Sequence, residues 1–242
     1  MSDEIRDQLA PTGVLRAGIN MANKLLVTGA TPSGDPDGVG PEFARHIADG
    51  LGVPVSYVQF PTPGELADAV TENVWDIGLI GAEPTRAEKI AFTAAYVEIE
   101  ATYLVPEGSP LNTIEDVDAE GVRIAVSGRS AYDLYLSRSL KHAELHRAQG
   151  LPGALELFMA EKMDALAGLR PALTGDLDKV PGGRILDGQF TAVQQAVGTA
   201  RTKPEAAAYL SDVVEDAKAS GLIARLIEKH NVVGRLSVAC PA

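Results

Sequence analysis

Arg86 is the residue in this sequence best placed to hold an anion. It follows a short apolar run, DIGLI (76–80), which reads as a buried strand, and a loop, GAEPT (81–85); IAF and Tyr96 come after it. A guanidinium presents a rigid fork of donors that fits a carboxylate or a phosphate. The plain alternative is a solvated Arg beside Glu88, since exposed Arg is common. A second anion-holding candidate is SGRSAYDLYLSRSL (127–140), where the strand GVRIAV (121–126) ends and Ser130 can cap a helix carrying Tyr132, Tyr135, Leu136 and Leu140. A helix start directly after a strand offers free N–H groups and the positive end of a dipole, and Arg129 stands beside it. An ordinary capped helix explains the same residues without a ligand. Arg170 follows another strand, DALAG (164–168), and Gln194 and Gln195 lie inside the strand FTAVQQAVGT (190–199). One of these two amides must face a polar space or water.

Other chemistries fit less well. His142 and His146 are four apart, but no Glu follows His142 directly, and the segment passes from helix to strand near Ala143, so solvated histidines are expected. Ser127 to Ala131 lacks the second Gly of a nucleophile elbow. Gly38-Val39-Gly40 lacks the third Gly of a dinucleotide fingerprint, and no Gly-rich phosphate loop with a Lys is present. Asp35 and Asp37 sit in SGDPDG, a turn signal without the further oxygen ligands that calcium needs. Cys240 stands alone two residues from the C-terminus, so no disulfide forms within the chain and a nucleophilic role there is not expected. No metal and no cofactor is therefore expected.

The elements that must position these residues follow from periodicity. Leu15 to Asn20 reads as a strand, Pro41 to Leu51 as a helix with Phe43, Ile47 and Leu51 on one stripe, and Val53 to Phe60 as a strand. A helix from Pro63 to Glu72 and the strand at 75–80 complete a β-α-β-α-β order, the mark of a layered α/β domain. Strands at 100–106 and 121–126 and helices from Ser130 and over 151–162 follow, then strands at 164–168, 184–186 and 190–199. Helices from Pro204 and over 221–230 end the series. The 242 residues are 45% hydrophobic but only 5% aromatic, which suits helices covering sheets. The net charge of −12 excludes nucleic-acid binding by bulk attraction. No run of about 18 apolar residues exists, so no membrane insertion is expected. The segment MSDEIRDQLAPTG has no apolar signal region; a cytoplasmic location is expected if Met1 is the native start, and a periplasmic or extracellular one if a leader was removed. The expected division is a first lobe of 1–105 and 194–242 and a second of 106–193, joined by two crossings that form a hinge beside a cleft.

The order and spacing of these motifs resemble the two-lobed type II periplasmic solute-binding fold. The closest resemblance is to the polar amino-acid binding family that serves ABC transporters (family 3 solute-binding proteins). It runs from about Leu15 to His230. It is carried by LRAGIN, GVGPEFARHIADGLGV, TPGELADAVTENVWDIGLI, TRAEKIAFTAAYVEIEATYLVPEGSPL, VSGRSAYDLYL and EKMDALAGL. The resemblance implies that Arg86 clamps the ligand carboxylate, that Gly128-Arg129-Ser130 at the second-lobe helix start helps hold it, and that Asn20 and Asn23 lie in a contact loop. It also implies a small-molecule carboxylate as ligand and an ABC-transporter membrane component as partner. The departures are informative. The acidic residue that binds the ligand ammonium falls at Leu169, with Arg170 next to it. The Ser/Thr donors before the clamp are replaced by Gly81 and Ala82, and that loop is about two residues shorter. No aromatic residue begins the helix at Pro63, though Phe60 is close.

A cleft that keeps its anion end and loses its cation end would leave an amino acid's ammonium unpaired. The expected ligand is an organic acid without the amine or with more negative charge. The expected contact residues are Arg86, Ser130, Arg129, Asn20, Asn23, Gly81, Arg170 and Gln194. Arg86→Ala is expected to abolish binding and leave the melting curve of the free protein nearly unchanged. The competing reading is a cyclohexadienyl dehydratase-like lyase on the same fold, with Glu83 or Tyr132 as general acid; a sensory module is a third.

Overall fold

The computed structural model describes residues 3–242. The chain forms two compact units, the first made of Met1–Glu98 and Gln194–Ala242 and the second of Ile99–Val193. In the first unit the chain begins with α1 (Asp3–Leu9) and β1 (Leu15–Asn20), then a two-stranded hairpin, β2 (Gly29–Ala30) and β3 (Pro36–Asp37). Ser33 to Asp35 of the expected turn at SGDPDG lie at the tip of that hairpin, and Pro36 and Asp37 form β3 itself. Next come α2 (Val39–Leu51), β4 (Val55–Phe60), α3 (Pro63–Asp68), β5 (Ile77–Gly81) and α4 (Pro84–Ala87). The long strand β6 (Ile90–Val105) carries the chain into the second unit.

In the first unit, β1 lies between β4 and β5 and runs parallel to both, with Ala17 opposite Tyr57 on one side and Ile77 on the other. The strand on the far side of β5, β11 (Thr191–Ala200), is antiparallel to it. All five residues of β5 are buried. Parallel strands covered on both faces read as continuous apolar runs, which is why DIGLI was legible. Phe43, Ile47 and Leu51 of α2 are fully buried, as their spacing requires. The left-handed Gly52 closes that helix. Thr62 caps α3 by accepting from the Glu65 amide and donating to the Glu65 carboxylate. The Asp76 carboxylate, 1% exposed, fastens the start of β5 to Arg16 at 2.8 Å and to Lys203 at 3.4 Å. α8 (Pro204–Ala219), α9 (Leu222–Lys229) and β12 (Ser237–Val238) complete this unit, with β12 antiparallel to β6 at Val97 and Glu98.

The second unit holds β7 (Arg123–Ser127), α5 (Ala131–Ser139), β8 (Glu144–Ala148), α6 (Gly150–Ala160) and β9 (Ala165–Leu169). α7 (Arg170–Asp176) and β10 (Arg184–Ile185) follow. β7 is parallel to both β8 and β9, and β9 is antiparallel to β6. Leu104, Leu155, Phe158, Met163, Leu166 and Leu173 fill its core. Each unit is therefore an open α/β layer, a fold in which ligands sit beyond the carboxyl ends of the parallel strands.

Candidate functional site

The residues singled out in the first unit gather at the carboxyl ends of β1 and β5, which are neighbours with Ile19 opposite Leu79. Asn20 ends β1, and Gly81 ends β5. Arg86 lies on α4, a single turn that starts at Pro84, where the sequence predicts a loop up to Thr85. The turn swings the guanidinium back so that Nη1 donates to the Gly81 carbonyl at 2.7 Å. Arg86 is only 6% exposed, so it is not a solvated surface residue. Arg86→Ala would strip the Gly81 carbonyl of this donor, so a loss of about 1 kcal/mol replaces the unchanged stability first expected. Asn20 and Asn23 spend their side-chain oxygens locally, Asn20 Oδ1 accepting from the Ala22 amide and Asn23 Oδ1 from the Leu25 amide, each at 3.1 Å. These Asx turns shape the loop after β1 and leave the side-chain amide donors as its means of touching a ligand. Gln194 joins the same region through its backbone, its carbonyl accepting from the Ala82 amide at 2.7 Å. Gln195 is the amide that goes inside, at 5% exposed.

The second unit gathers Gly128, Arg129, Ser130 and Leu169. β7 and β9 are parallel with Ala125 opposite Leu166, so Gly128 and Leu169 stand level at neighbouring strand ends. Ser130 caps α5, its hydroxyl accepting from the Asp133 amide at 3.1 Å. Arg129 adopts a left-handed backbone, with φ 61°, and its amide donates to Asp133 Oδ2 at 2.7 Å. Asp133, 2% exposed, also takes Arg147 Nε at 3.0 and 3.2 Å on its two oxygens. A buried, fully bonded carboxylate thus occupies the helix start, and Ser130 followed by Asp133 has the spacing of a capping box. Tyr132 is 4% exposed, and burial raises its phenol above the ordinary value, with the Ser130 and Ser127 side chains and Asp133 nearby.

Leu169 is 8% exposed, ends β9 and precedes α7 as its N-cap without a side-chain cap bond. The nearest strand partner carries Glu100, one residue before Ala101, which faces Leu169 across the ladder. Glu100 is already paired with Arg170 Nε at 2.6 Å. Arg170 Nη2 also donates to the Leu186 carbonyl at 3.3 Å and to the Gly188 carbonyl. Arg170 therefore ties β6, α7 and the segment after β10 together. This pair spans 70 residues of sequence, and no local pattern points to it. His146 lies on β8 and His142 in the turn before it, so they do not share a helical face. In the first unit Asp37, Glu42 and His230 bring ligand-type atoms within 4.8 Å of one another, but Lys229 Nζ already sits 2.6 Å from Glu42.

Residues 15–232 match the model of the bacterial extracellular solute-binding proteins, family 3. The chain belongs to that family and is a solute-binding protein of it. Solved structures show the same fold. A mutant of ArgBP from T. maritima superposes with TM-score 0.74 at 21% identity, covering 94% of this chain and 99% of that one. The cysteine-binding protein from Campylobacter jejuni gives TM-score 0.75 at 16% identity, covering 95% and 93%. The ancestral amino acid-binding protein AncCDT-1, a precursor of cyclohexadienyl dehydratase, gives TM-score 0.74 at 21% identity, covering 94% and 99%. No curated protein matches the chain. Among the described residues no helix is long and apolar enough to cross a membrane.

Proposed function

We propose that the protein binds a small carboxylate that lacks an α-amine, with Arg86 as the carboxylate clamp, and closes on it by hinge motion about the two crossings of the chain. The observation that carries the reading is the state of the two ends of the family's recognition pattern. Arg86 is buried on the turn that follows β5, while Leu169, where the resemblance puts the amine-binding acid, is apolar and the nearby Glu100 is neutralised by Arg170. The structures named above belong to proteins described as binding arginine and cysteine. In this chain an ammonium group placed beside Leu169 would lose its water and gain no acid, at a cost of several kcal/mol. Energy for binding comes from charge-assisted hydrogen bonds in a site that excludes water. The expected partner is the membrane component of an ABC transporter.

The dehydratase-like alternative has less support. A proton donor in such a reaction needs a pKa near the working pH, and burial moves the Tyr132 phenol upward, away from it. The test is a thermal-shift screen with amino acids, dicarboxylates, aromatic acids and prephenate-like acids. A ligand at 100 times its Kd adds about 2.7 kcal/mol of stability. Stabilisation by amine-free acids and not by their amino counterparts supports the reading; the reverse preference sinks it. Re-assaying each hit for product separates a binder from an enzyme.

A further inference from the structure

Tyr132 is nearly fully buried, yet its hydroxyl has no hydrogen-bond partner within range among the described residues. A buried phenol without a partner is costly, and such an atom in a native protein calls for a reason. Its surroundings supply one. Tyr132 is the second residue of α5, and the Ser127 and Ser130 side chains lie beside its phenol. Ser127 and Ser130 are themselves 8% and 7% exposed. Three backbone donors at the helix start are already taken. The Arg129 amide is taken by Asp133, the Ser130 amide by the Ser127 carbonyl, and the Asp133 amide by the Ser130 hydroxyl oxygen. The Asp133 carboxylate also meets the positive end of the helix with its own charge. The Ser130 hydroxyl, whose oxygen accepts from the Asp133 amide, keeps its proton to offer.

We propose that Tyr132, with Ser127 and Ser130, forms a hydroxyl cluster that recognises an uncharged oxygen of the ligand, so that the bound acid is an oxo- or hydroxy-substituted carboxylic acid. The inference rests on the carboxylate reading above and narrows it. Hydroxyl donors suit a carbonyl or alcohol oxygen, and a buried donor left unmatched penalises the analogue that lacks that oxygen.

The experiment is a calorimetric titration of the whole protein with matched acids on several aliphatic and aromatic skeletons, each as its unsubstituted, hydroxy and oxo form. The wild type should bind the hydroxy or oxo form about 10-fold tighter than the unsubstituted acid. Tyr132→Phe should erase that preference while leaving the Kd of the unsubstituted acid in place, and Ser127→Ala should reduce it. Tyr132→Phe should also melt at or above the wild type, because it removes an unpartnered polar group. Equal binding of all three forms, or a preference that survives Tyr132→Phe, overturns the hydroxyl cluster and leaves the carboxylate reading standing. A lower melting temperature for Tyr132→Phe shows that the phenol is bonded in the free protein and overturns it too. Absence of binding by every acid overturns both readings together.

Discussion

Leu169→Asp should convert the site toward amino acids, and its cost and gain are both set by the structure. Leu169 is 8% exposed at the end of β9, so losing it forfeits about 2 kcal/mol of apolar burial. The same position is the N-cap of α7 and has no capping side chain, so Asp there returns about 1 kcal/mol. The net loss of about 1 kcal/mol corresponds to a fall of about 3 °C in Tm for a chain of this size. The gain is the pairing of a ligand ammonium. Two unit charges about 4 Å apart attract by about 4 kcal/mol at an effective dielectric of about 20. Desolvation takes back roughly half, leaving about 2 kcal/mol, or about 30-fold in Kd. The assay is titration of both proteins with pairs of acids that differ only by the α-amine. Wild type should prefer the amine-free member, and the variant should tighten on the amino member by about that factor. A variant that folds, melts within a few degrees of wild type and shows no shift in this preference would refute the assignment of Leu169 to the amine end.

Other consequences follow from single contacts. Asp76→Ala leaves Arg16 and Lys203 without their shared carboxylate, and urea unfolding should show a loss of about 3 kcal/mol. At Gly38, φ is 145° and a Cβ would stand 2.2 Å from the Leu26 carbonyl oxygen, so Gly38→Ala should lose about 3 kcal/mol on the same scale. Tyr96 is fully buried beside Phe43 with its hydroxyl unpartnered among the described residues; Tyr96→Phe should be neutral or stabilising by about 1 kcal/mol in thermal unfolding. Burial pushes the Glu42 carboxyl up, but Lys229 and His230 outweigh it and hold the group below its usual value. A carboxyl lowered in the folded state contributes stability at neutral pH that is lost as pH falls through the acid range below about 4.5. Melting followed between neutral and acid pH should therefore fall less steeply for Glu42→Gln than for wild type.

Much of this arrangement was legible before the structure because it is periodic or local. The stripe of Phe43, Ile47 and Leu51, the wholly buried run of β5 and the cap at Ser130 each follow from the types and spacing of neighbouring residues. The placement of Arg86 after a buried strand was visible for the same reason. The turn that aims it was not, because α4 is four residues long and short helices have almost no periodic signal. Arg170 shows a different limit. Its position at a strand end suggested a ligand contact, but Glu100, 70 residues away in sequence, claims its guanidinium. Asp133, three residues after the Ser130 cap, has the spacing of a capping box, whereas its pairing with Arg147 depends on β8 lying beside β7. The unpartnered state of Tyr132 had no sequence signal at all, since it depends on what surrounds the phenol in three dimensions.

The most direct measurement is a calorimetric titration of wild type and Arg86→Gln with the amine-free acid that stabilises the protein most in the screen, alongside a melting curve of each free protein. The account predicts saturable binding by wild type and a loss of about 100-fold or more in Arg86→Gln, because the ligand carboxylate loses its charged partner. The free variant should melt within a few degrees of wild type. Undiminished binding by a folded Arg86→Gln would contradict the account, because the carboxylate would then have to be held elsewhere.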